Sequence, residues 1–194
     1  VAGIDLTIAP RTVAQGLTTR GYRLLSIRAN LASRLGDQPR ALALAEAAST
    51  QCRGCSSTLV AEALVHARMG DFATGLAVLA RGNGTGAEAP LAAARAMIDD
   101  GAAHQHQALA SDGDTRRWEQ AEALASLEAW GAAFSLIAPH EARLITTPDR
   151  AVRFAELAFR AGYADHARLI LERTGGVAVE ETLAGWAAGM GWRE

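Results

Sequence analysis

Two cysteines, Cys52 and Cys55, are the residues of this 194-residue chain best spaced for chemistry. A Cys-x-x-Cys pair can form a disulfide, carry out thiol–disulfide exchange, or supply two ligands of a tetrahedral zinc site. The chain has no other cysteine, so zinc would have to recruit histidines, and no βαβ pattern of a thioredoxin-like centre surrounds the pair. We therefore favour a structural disulfide or two free thiols, with redox and metal-binding roles left open. A disulfide would indicate an oxidising compartment.

A second set of candidate ligands consists of Asp99, Asp100, His104 and His106. Side chains one or two positions apart on a helix point in different directions, so neither the two acids nor the two imidazoles would converge on one ion. The chain also lacks the phosphate-binding, dinucleotide-binding, hydrolase and zinc-protease motifs. We therefore expect no catalytic residues, no metal and no cofactor.

The elements that position these residues are predicted to be helices, because alanine dominates the chain. Alanine accounts for 44 residues, and it is the strongest helix former. The formal net charge of -2 argues against the basic surface that nucleic-acid binding requires. No apolar run approaches the length of a membrane-spanning helix, so we expect no membrane insertion. All 19 basic residues are arginine, whose planar guanidinium suits carboxylates.

Glycines recur after apolar helical stretches at intervals of 34, 31, 30 and 31 residues, at Gly36, Gly70, Gly101, Gly131 and Gly162. Each is followed within a few residues by another stretch with helical apolar spacing. A period of this length is typical of proteins built from repeated helical hairpins. The pattern predicts an all-α fold, an α-solenoid of about five stacked antiparallel hairpins.

The turn sequences Gly36-Asp37, Gly70-Asp71-Phe72 and Gly162-Tyr163 resemble the turn between the two helices of a tetratricopeptide (TPR-like) repeat. Small residues stand at that family's packing position, seven residues before four of the five glycines, at Ala29, Ala63, Ala94 and Ala155; Leu124 is the fifth. Pro148 matches the proline that closes such a repeat. The resemblance predicts repeats over 20–175, after an N-terminal arm and lead-in over 1–19 and before a C-terminal capping helix within 176–194.

The resemblance further implies that the first helix of each hairpin lines a concave groove for a protein or peptide partner. In this register the groove residues would be Arg23, Asn30, Arg34, Leu64, Arg68, Arg95, Phe159 and Arg160. Several arginines beside apolar side chains would suit a peptide that carries carboxylates. We expect alanine at Arg34 and Arg68 to weaken partner binding without lowering the melting temperature.

These observations favour a non-catalytic protein–protein interaction scaffold that binds a partner segment or docks into a larger assembly. The alternative is a helical non-catalytic domain of a larger bacterial enzyme, secretion or flagellar machine, since the chain starts at Val1 and reads as a processed or trimmed piece. A third option is a metal or redox protein built on the cysteine pair. The possible disulfide favours a periplasmic or envelope location over the cytoplasm, and the sequence leaves the oligomeric state open.

Overall fold

The computed structural model describes residues 21–82, 88–175 and 178–190, and within these ranges every regular element is helical. A short 3₁₀ turn spans Ala138–His140. The α-helices are α1 Gly21–Arg34, α2 Gln38–Gln51, α3 Ser56–Arg68, α4 Phe72–Ala80, α5 Glu88–Ala110, α6 Gly113–Ser126, α7 Trp130–Ile137, α8 Glu141–Leu144, α9 Pro148–Arg160, α10 Ala164–Thr174 and α11 Val179–Gly189. The all-α fold expected from the composition is confirmed.

Four helix pairs are joined by one kind of turn, which ends the first helix on a residue with positive φ. Gly36, Gly70 and Gly162 hold this position with φ of 84°, 87° and 95°, and Glu128 holds it with φ of 57°. In every case the N–H groups of this residue and of the next one donate to carbonyls three and five residues back. This is the Schellman arrangement, in which glycine is favoured because it has no Cβ. The turns predicted at the three glycines are confirmed.

The turns predicted at Gly101 and Gly131 are wrong. Gly101 lies inside α5, where an added Cβ would come 3.1 Å from a ring carbon of Phe72 and 3.2 Å from the Ala123 carbonyl oxygen. Its lack of a side chain lets α5 pack closely on its neighbours. Gly131 is the second residue of α7, because the chain turns three residues earlier, at Glu128. Described residues therefore contain four turns of this kind, where the glycine spacing predicted five.

Small residues allow the paired helices to approach each other closely. In all four turns, the residue seven positions before the positive-φ residue is an alanine with 0% exposure: Ala29, Ala63, Ala121 and Ala155. Five residues after it stands another buried small residue: Ala41, Gly75, Ala133 and Ala167. Ala121, and not the predicted Leu124, occupies the packing position of the third turn.

The helices pack chiefly with their neighbours in sequence, and α1–α3 and α3–α5 contacts link successive pairs. The largest apolar cluster spans α6 to α11 around Phe154 and Leu171, and a second joins α3, α4 and α5 around Leu59 and Ile98. A third, between α1, α2 and α3, consists of four alanines and Val65. Packing in neighbouring pairs is consistent with stacked hairpins.

The N-terminal arm predicted over 1–19 lies outside the described residues, and the predicted C-terminal region 176–194 is described over 178–190. The helix predicted near the C-terminus is present as α11, and the Trp186 ring centroid lies 5.7 Å from that of Phe159. α11 therefore covers part of the cluster formed by the last helix pair.

Candidate partner-binding surface

Arg68, which we expected in an open groove, is a buried structural residue. Only 6% of it is exposed, at the C-terminal end of α3. Its Nε donates to the Leu127 carbonyl at 2.7 Å and its Nη1 donates to Asn30 Oδ1 at 2.6 Å. Burial, followed by the nearby charge of Arg34, lowers the pKa of Arg68 to about 10, although the Glu128 carboxylate acts in the opposite direction. The guanidinium thus joins α1 and α3 to the turn between α6 and α7.

Arg34 reaches the same turn from α1. Its Nε donates to the Glu128 carbonyl at 3.2 Å, and its Nη2 lies 3.6 Å from the Glu128 carboxylate. Arginine side chains near the C-terminus of a helix, here that of α6, donate hydrogen bonds to its last carbonyls and interact favourably with its partial negative charge. These contacts link α1 and α3 to the turn between α6 and α7, so from the structure we expect alanine at both arginines to lower the melting temperature, contrary to the expectation from the sequence.

The remaining predicted groove residues are not gathered on one open surface. Leu64 is 5% exposed and Phe159 6% exposed, so both belong to apolar clusters and their expected exposure is wrong. Arg160 donates to the Glu156 carboxylate at 2.8 Å and stacks 4.8 Å from the Trp130 ring centroid. Arg23 and Arg95 are exposed on α1 and α5. Whether these two bind a partner stays a prediction.

A more continuous apolar surface lies on α1. We call it the α1 strip: Leu24, Ile27, Leu31 and Leu35, which are 51%, 64%, 55% and 76% exposed. At 3.6 residues per turn, their positions fall within an arc of about 80° on one side of the helix. Leu25 and Ala29 on the other side are buried against the neighbouring helices. Apolar side chains that gather in this way mark a protein interaction site more often than exposed leucines that stand alone.

The matching face of α3 shows what such a strip packs against. Twelve, nine and five residues before the turn glycine, α1 has Leu24, Ile27 and Leu31, whereas α3 has Thr58, Ala61 and Val65. The three α3 residues are 0%, 4% and 0% exposed. Val65 belongs to the apolar cluster that α3 forms with α1 and α2. The same face is therefore buried in the second hairpin, where Val65 packs on α1 and α2, and open in the first.

Sequence reasoning missed the α1 strip because it assigned the groove from the resemblance alone. The signal was nevertheless present as four large apolar residues at spacings of three, four and four. A second helical face contains the buried residues Leu25, Ala29 and Ala32, and the two alanines pack on α2 and α3. A helix that is apolar on two sides has to bury both of them to be fully packed.

The cysteine pair lies between α2 and α3, and the two sulfur atoms are bonded in a disulfide. Cys52 ends α2 and Cys55 precedes α3, and the buried Thr58 hydroxyl bridges the carbonyls of both cysteines at 2.7 Å. The disulfide and the Thr58 hydroxyl therefore both restrain the short connection between the first two hairpins.

His104 and Asp100, two of the candidate ligands around residue 100, have separate partners on α6. The His104 ring lies 2.8 Å from the Glu119 carboxylate, and the Ser126 hydroxyl donates to Asp100 at 2.5 Å. Both contacts join α5 to α6. Within the part of the chain that the structure describes, no three His, Cys, Asp or Glu side chains are grouped as a metal site requires.

A shallow cleft of about 430 Å³ lies where α8, the start of α9 and the end of α10 meet. Ile145, Ala151 and Ile170 form its apolar wall, and Glu141 lies at its rim with Arg173. The Glu141 carboxylate is held 2.8 Å from the His166 ring and 3.8 Å from the Arg173 guanidinium. Glu141, the acidic residue of the lining, is therefore already engaged by two neighbouring side chains.

Comparison with known proteins adds no functional assignment to this geometry. No family model, no curated protein and no solved structure matches the chain. In the described ranges, no helix combines the length and the apolar character needed to cross a membrane.

Proposed function

We propose that this protein is a non-catalytic scaffold that binds a protein partner through the open end of its helix stack, at the α1 strip. One observation carries the proposal: the face of α1 that is exposed is the face by which α3 packs on the preceding helix pair. A partner that docks on α1 would extend the stack in the same way. Stacked helical hairpins generally present extended surfaces of this kind to other proteins.

The regularity of the four helix pairs supports the proposal. Four turns share one hydrogen-bonding pattern, and each has a buried small residue seven positions before and five positions after it. We infer from this regularity that the chain is a degenerate repeat protein of the tetratricopeptide-like kind. The net charge of -2 favours a protein partner over a nucleic acid.

The disulfide between Cys52 and Cys55 supports a location in an oxidising compartment, such as the periplasm or the cell envelope. It equally favours the second candidate function, a helical domain of a larger envelope machine. Mass spectrometry after alkylation, with and without prior reduction, tests the bond in protein taken from its native source. Two alkylated thiols before reduction would remove the support for this location.

Affinity capture from the source extract tests the scaffold function. Three baits are compared: the wild-type chain, the double variant Ile27→Ser with Leu31→Ser, and a control with Leu109→Ser and Leu169→Ser. The control removes exposed leucines from α5 and α10. We expect a protein that is retained by the wild type and the control and lost from the α1 variant. Equal capture by all three baits, or no enrichment over an unrelated helical bait, would contradict the proposal.

A further inference from the structure

The charged residues of α1 itself are all arginines. α1 contains Arg23, Arg28 and Arg34 and no acidic residue. At 100° per residue, Arg28 falls on one side of the strip, and Arg23 and Arg34 fall on the other. Arg34 is paired with Glu128, whereas no carboxylate of the described residues forms an ion pair with Arg23 or Arg28. The strip is thus an apolar stripe with unmatched positive charge along both edges.

We propose that the α1 strip binds an amphipathic helix whose apolar stripe is flanked by acidic residues. This inference rests on the proposed scaffold function and names the class of its partner. The apolar stripe of the incoming helix would cover Leu24, Ile27 and Leu31, as the first hairpin covers the matching face of α3. Its acidic flanks would form charge-assisted hydrogen bonds with Arg23 and Arg28. A helix docked by its apolar face is a recurring mode of peptide recognition.

The same charges argue against the other occupants. A second copy of the chain, docked strip to strip, would bring the arginines of one α1 against those of the other, and like charges in an interface are unfavourable. The 20 residues before α1 contain one acidic residue, Asp5, and two arginines, so they do not supply the complementary charge. An anionic membrane surface would satisfy the arginines. However, the internal match with α3 points to a helix, because a helix pair covers the equivalent face there.

The test uses the full chain and two labelled synthetic helices, with binding followed by fluorescence anisotropy. Both peptides carry leucines at helical spacing on one face; glutamates flank the leucines in one peptide and lysines in the other. We expect the glutamate peptide to bind at least about tenfold more tightly, because both edges of the strip are basic. The preference should shrink as the salt concentration rises. Equal affinity for the two peptides would overturn the inference.

Matched variants locate the binding site. Ile27→Ser with Leu31→Ser should weaken binding of the glutamate peptide by at least about tenfold, since two apolar contacts are lost. Leu169→Ser, which removes an exposed leucine from α10, should leave the affinity unchanged. Arg23→Glu with Arg28→Glu should reverse the preference towards the lysine peptide. If the Leu169 variant loses as much affinity as the α1 variant, the site lies elsewhere and the inference fails.

Three further outcomes would assign the strip to another occupant and overturn the inference. They are cosedimentation with anionic vesicles that requires Ile27, a dimer in sedimentation velocity that Ile27→Ser dissociates, and strong protection of the strip from oxidative footprinting in the free chain. If neither peptide binds but an extract protein is captured in an α1-dependent way, only the acidic-helix inference fails. If no α1-dependent partner is captured either, the scaffold function fails with it.

Discussion

At the scale of single residues, the turn at Glu128 combines an unfavourable backbone conformation with favourable contacts. Its φ of 57° lies in the left-handed region, which glycine occupies in the three equivalent turns. A side chain at such a position costs about 1 kcal/mol or more. In return, the Glu128 carboxylate lies 3.6 Å from Arg34, in an exposed pair that contributes little. The Glu128 carbonyl, which accepts from Arg34, would persist with any residue at this position.

Glu128→Gly is therefore expected to have a free energy of unfolding about 0.5–1 kcal/mol higher than that of Glu128→Gln, because both variants lose the carboxylate and only glycine relieves the left-handed conformation. Urea denaturation followed by circular dichroism measures the change. Glu128→Gln is the matched control, since it removes the charge and keeps the conformational cost. If glycine destabilises the protein more than glutamine does, the conformation at this turn is not strained.

Arg153 illustrates the opposite case, in which charged groups are held firmly. Its Nη2 lies 2.6 Å from the Glu122 carboxylate on α6, and its Nη1 donates to Glu156 at 2.6 Å. Burial by itself would lower the pKa of Arg153, but the hydrogen bonds and charges of Glu122 and Glu156 outweigh it and place the pKa above the ordinary arginine value. Glu122 is only 8% exposed. This group therefore links α6 to α9, and the Glu122 carboxylate in it is largely shielded from water.

Glu122→Ala should lower the free energy of unfolding by about 2 kcal/mol. This is less than for a fully buried pair, because a third of the Arg153 side chain is exposed. A double-mutant cycle with Arg153→Ala isolates the coupling between the two side chains. The exposed pair Arg168 and Glu180 provides the comparison, for which we expect a much smaller coupling because water screens both charges. Equal coupling in the two cycles would show that burial gives the Glu122 pair no advantage.

At the scale of the helices, the N-terminus of α4 is capped by the side chain of Asp71. Asp71 precedes α4, and its carboxylate accepts from the Thr74 backbone N–H at 3.0 Å. Hydrogen bonds from the side chain and the backbone of Thr74 lower the pKa of Asp71 below its ordinary value. A carboxylate with a lowered pKa stabilises the fold above its unfolded-state pKa and loses this effect as the pH falls through the folded-state value.

The stabilisation by Asp71 should therefore be complete near neutral pH and should vanish in acid. Asp71→Asn should lower the melting temperature at pH 7, and the difference from the wild type should shrink as the pH falls below the ordinary aspartate range, about 4. Thermal melts across this range measure it. A difference that stays constant with pH would mean that the charge of Asp71 has no part in capping α4.

Glycine also sets how closely the helices pack. A Cβ added at Gly75 in α4 would come 2.9 Å from the Ala63 carbonyl oxygen of α3 and 3.3 Å from the Ile98 side chain. Since backbone cannot yield easily, Gly75→Ala should destabilise the protein by about 1–3 kcal/mol. Gly185→Ala, in α11 with no atom within 4 Å, should stabilise it by about 0.5–1 kcal/mol. Equal effects on the denaturation midpoint would contradict the close contact of α3 and α4.

The same glycines explain how far the sequence could predict the fold. Helical content and the turns at Gly36, Gly70 and Gly162 follow from alanine content and local spacing. Glycine has two uses, however, and spacing cannot distinguish a left-handed turn from a close helix contact, so Gly101 was misassigned. The turn at Glu128 was hidden because its residue is not a glycine, although Ala121 stands seven positions before it, as in the other turns.

The candidate site was harder to predict than the fold, because exposure depends on which helices meet. Arg34 and Arg68 were correctly placed at equivalent positions, two residues before a turn glycine. Their partners, the carbonyls of Leu127 and Glu128, lie 59 and 94 residues further along the chain. Such long-range contacts leave no local pattern. Conversely, the spacing of the α1 strip predicts an apolar face and does not say that this face is open.

At the scale of the whole molecule, stability should be distributed unevenly along the stack. The cluster between α1, α2 and α3 contains four alanines and Val65, whereas the cluster from α6 to α11 includes Phe134, Phe154 and Trp118. The burial of apolar surface stabilises a fold by about 25 cal/mol for each Å² that is buried. An alanine side chain buries much less apolar surface than a phenylalanine or a tryptophan. α1 also leaves its strip exposed. The α1–α2 pair should therefore open at the lowest free energy of any paired helices.

Native-state hydrogen exchange followed by mass spectrometry measures this difference. Amides of 21–51 should exchange at least about tenfold faster than those of 148–174, since local opening exposes the weaker cluster first. A helix bound to the α1 strip would add apolar contacts to this end, so the glutamate peptide should slow exchange in 21–51 and leave 148–174 unchanged. The Ile27→Ser with Leu31→Ser variant is the control, in which the peptide should have no effect. Uniform exchange along the free chain would instead show that the stack unfolds as one cooperative unit, with no weaker end for a partner to stabilise.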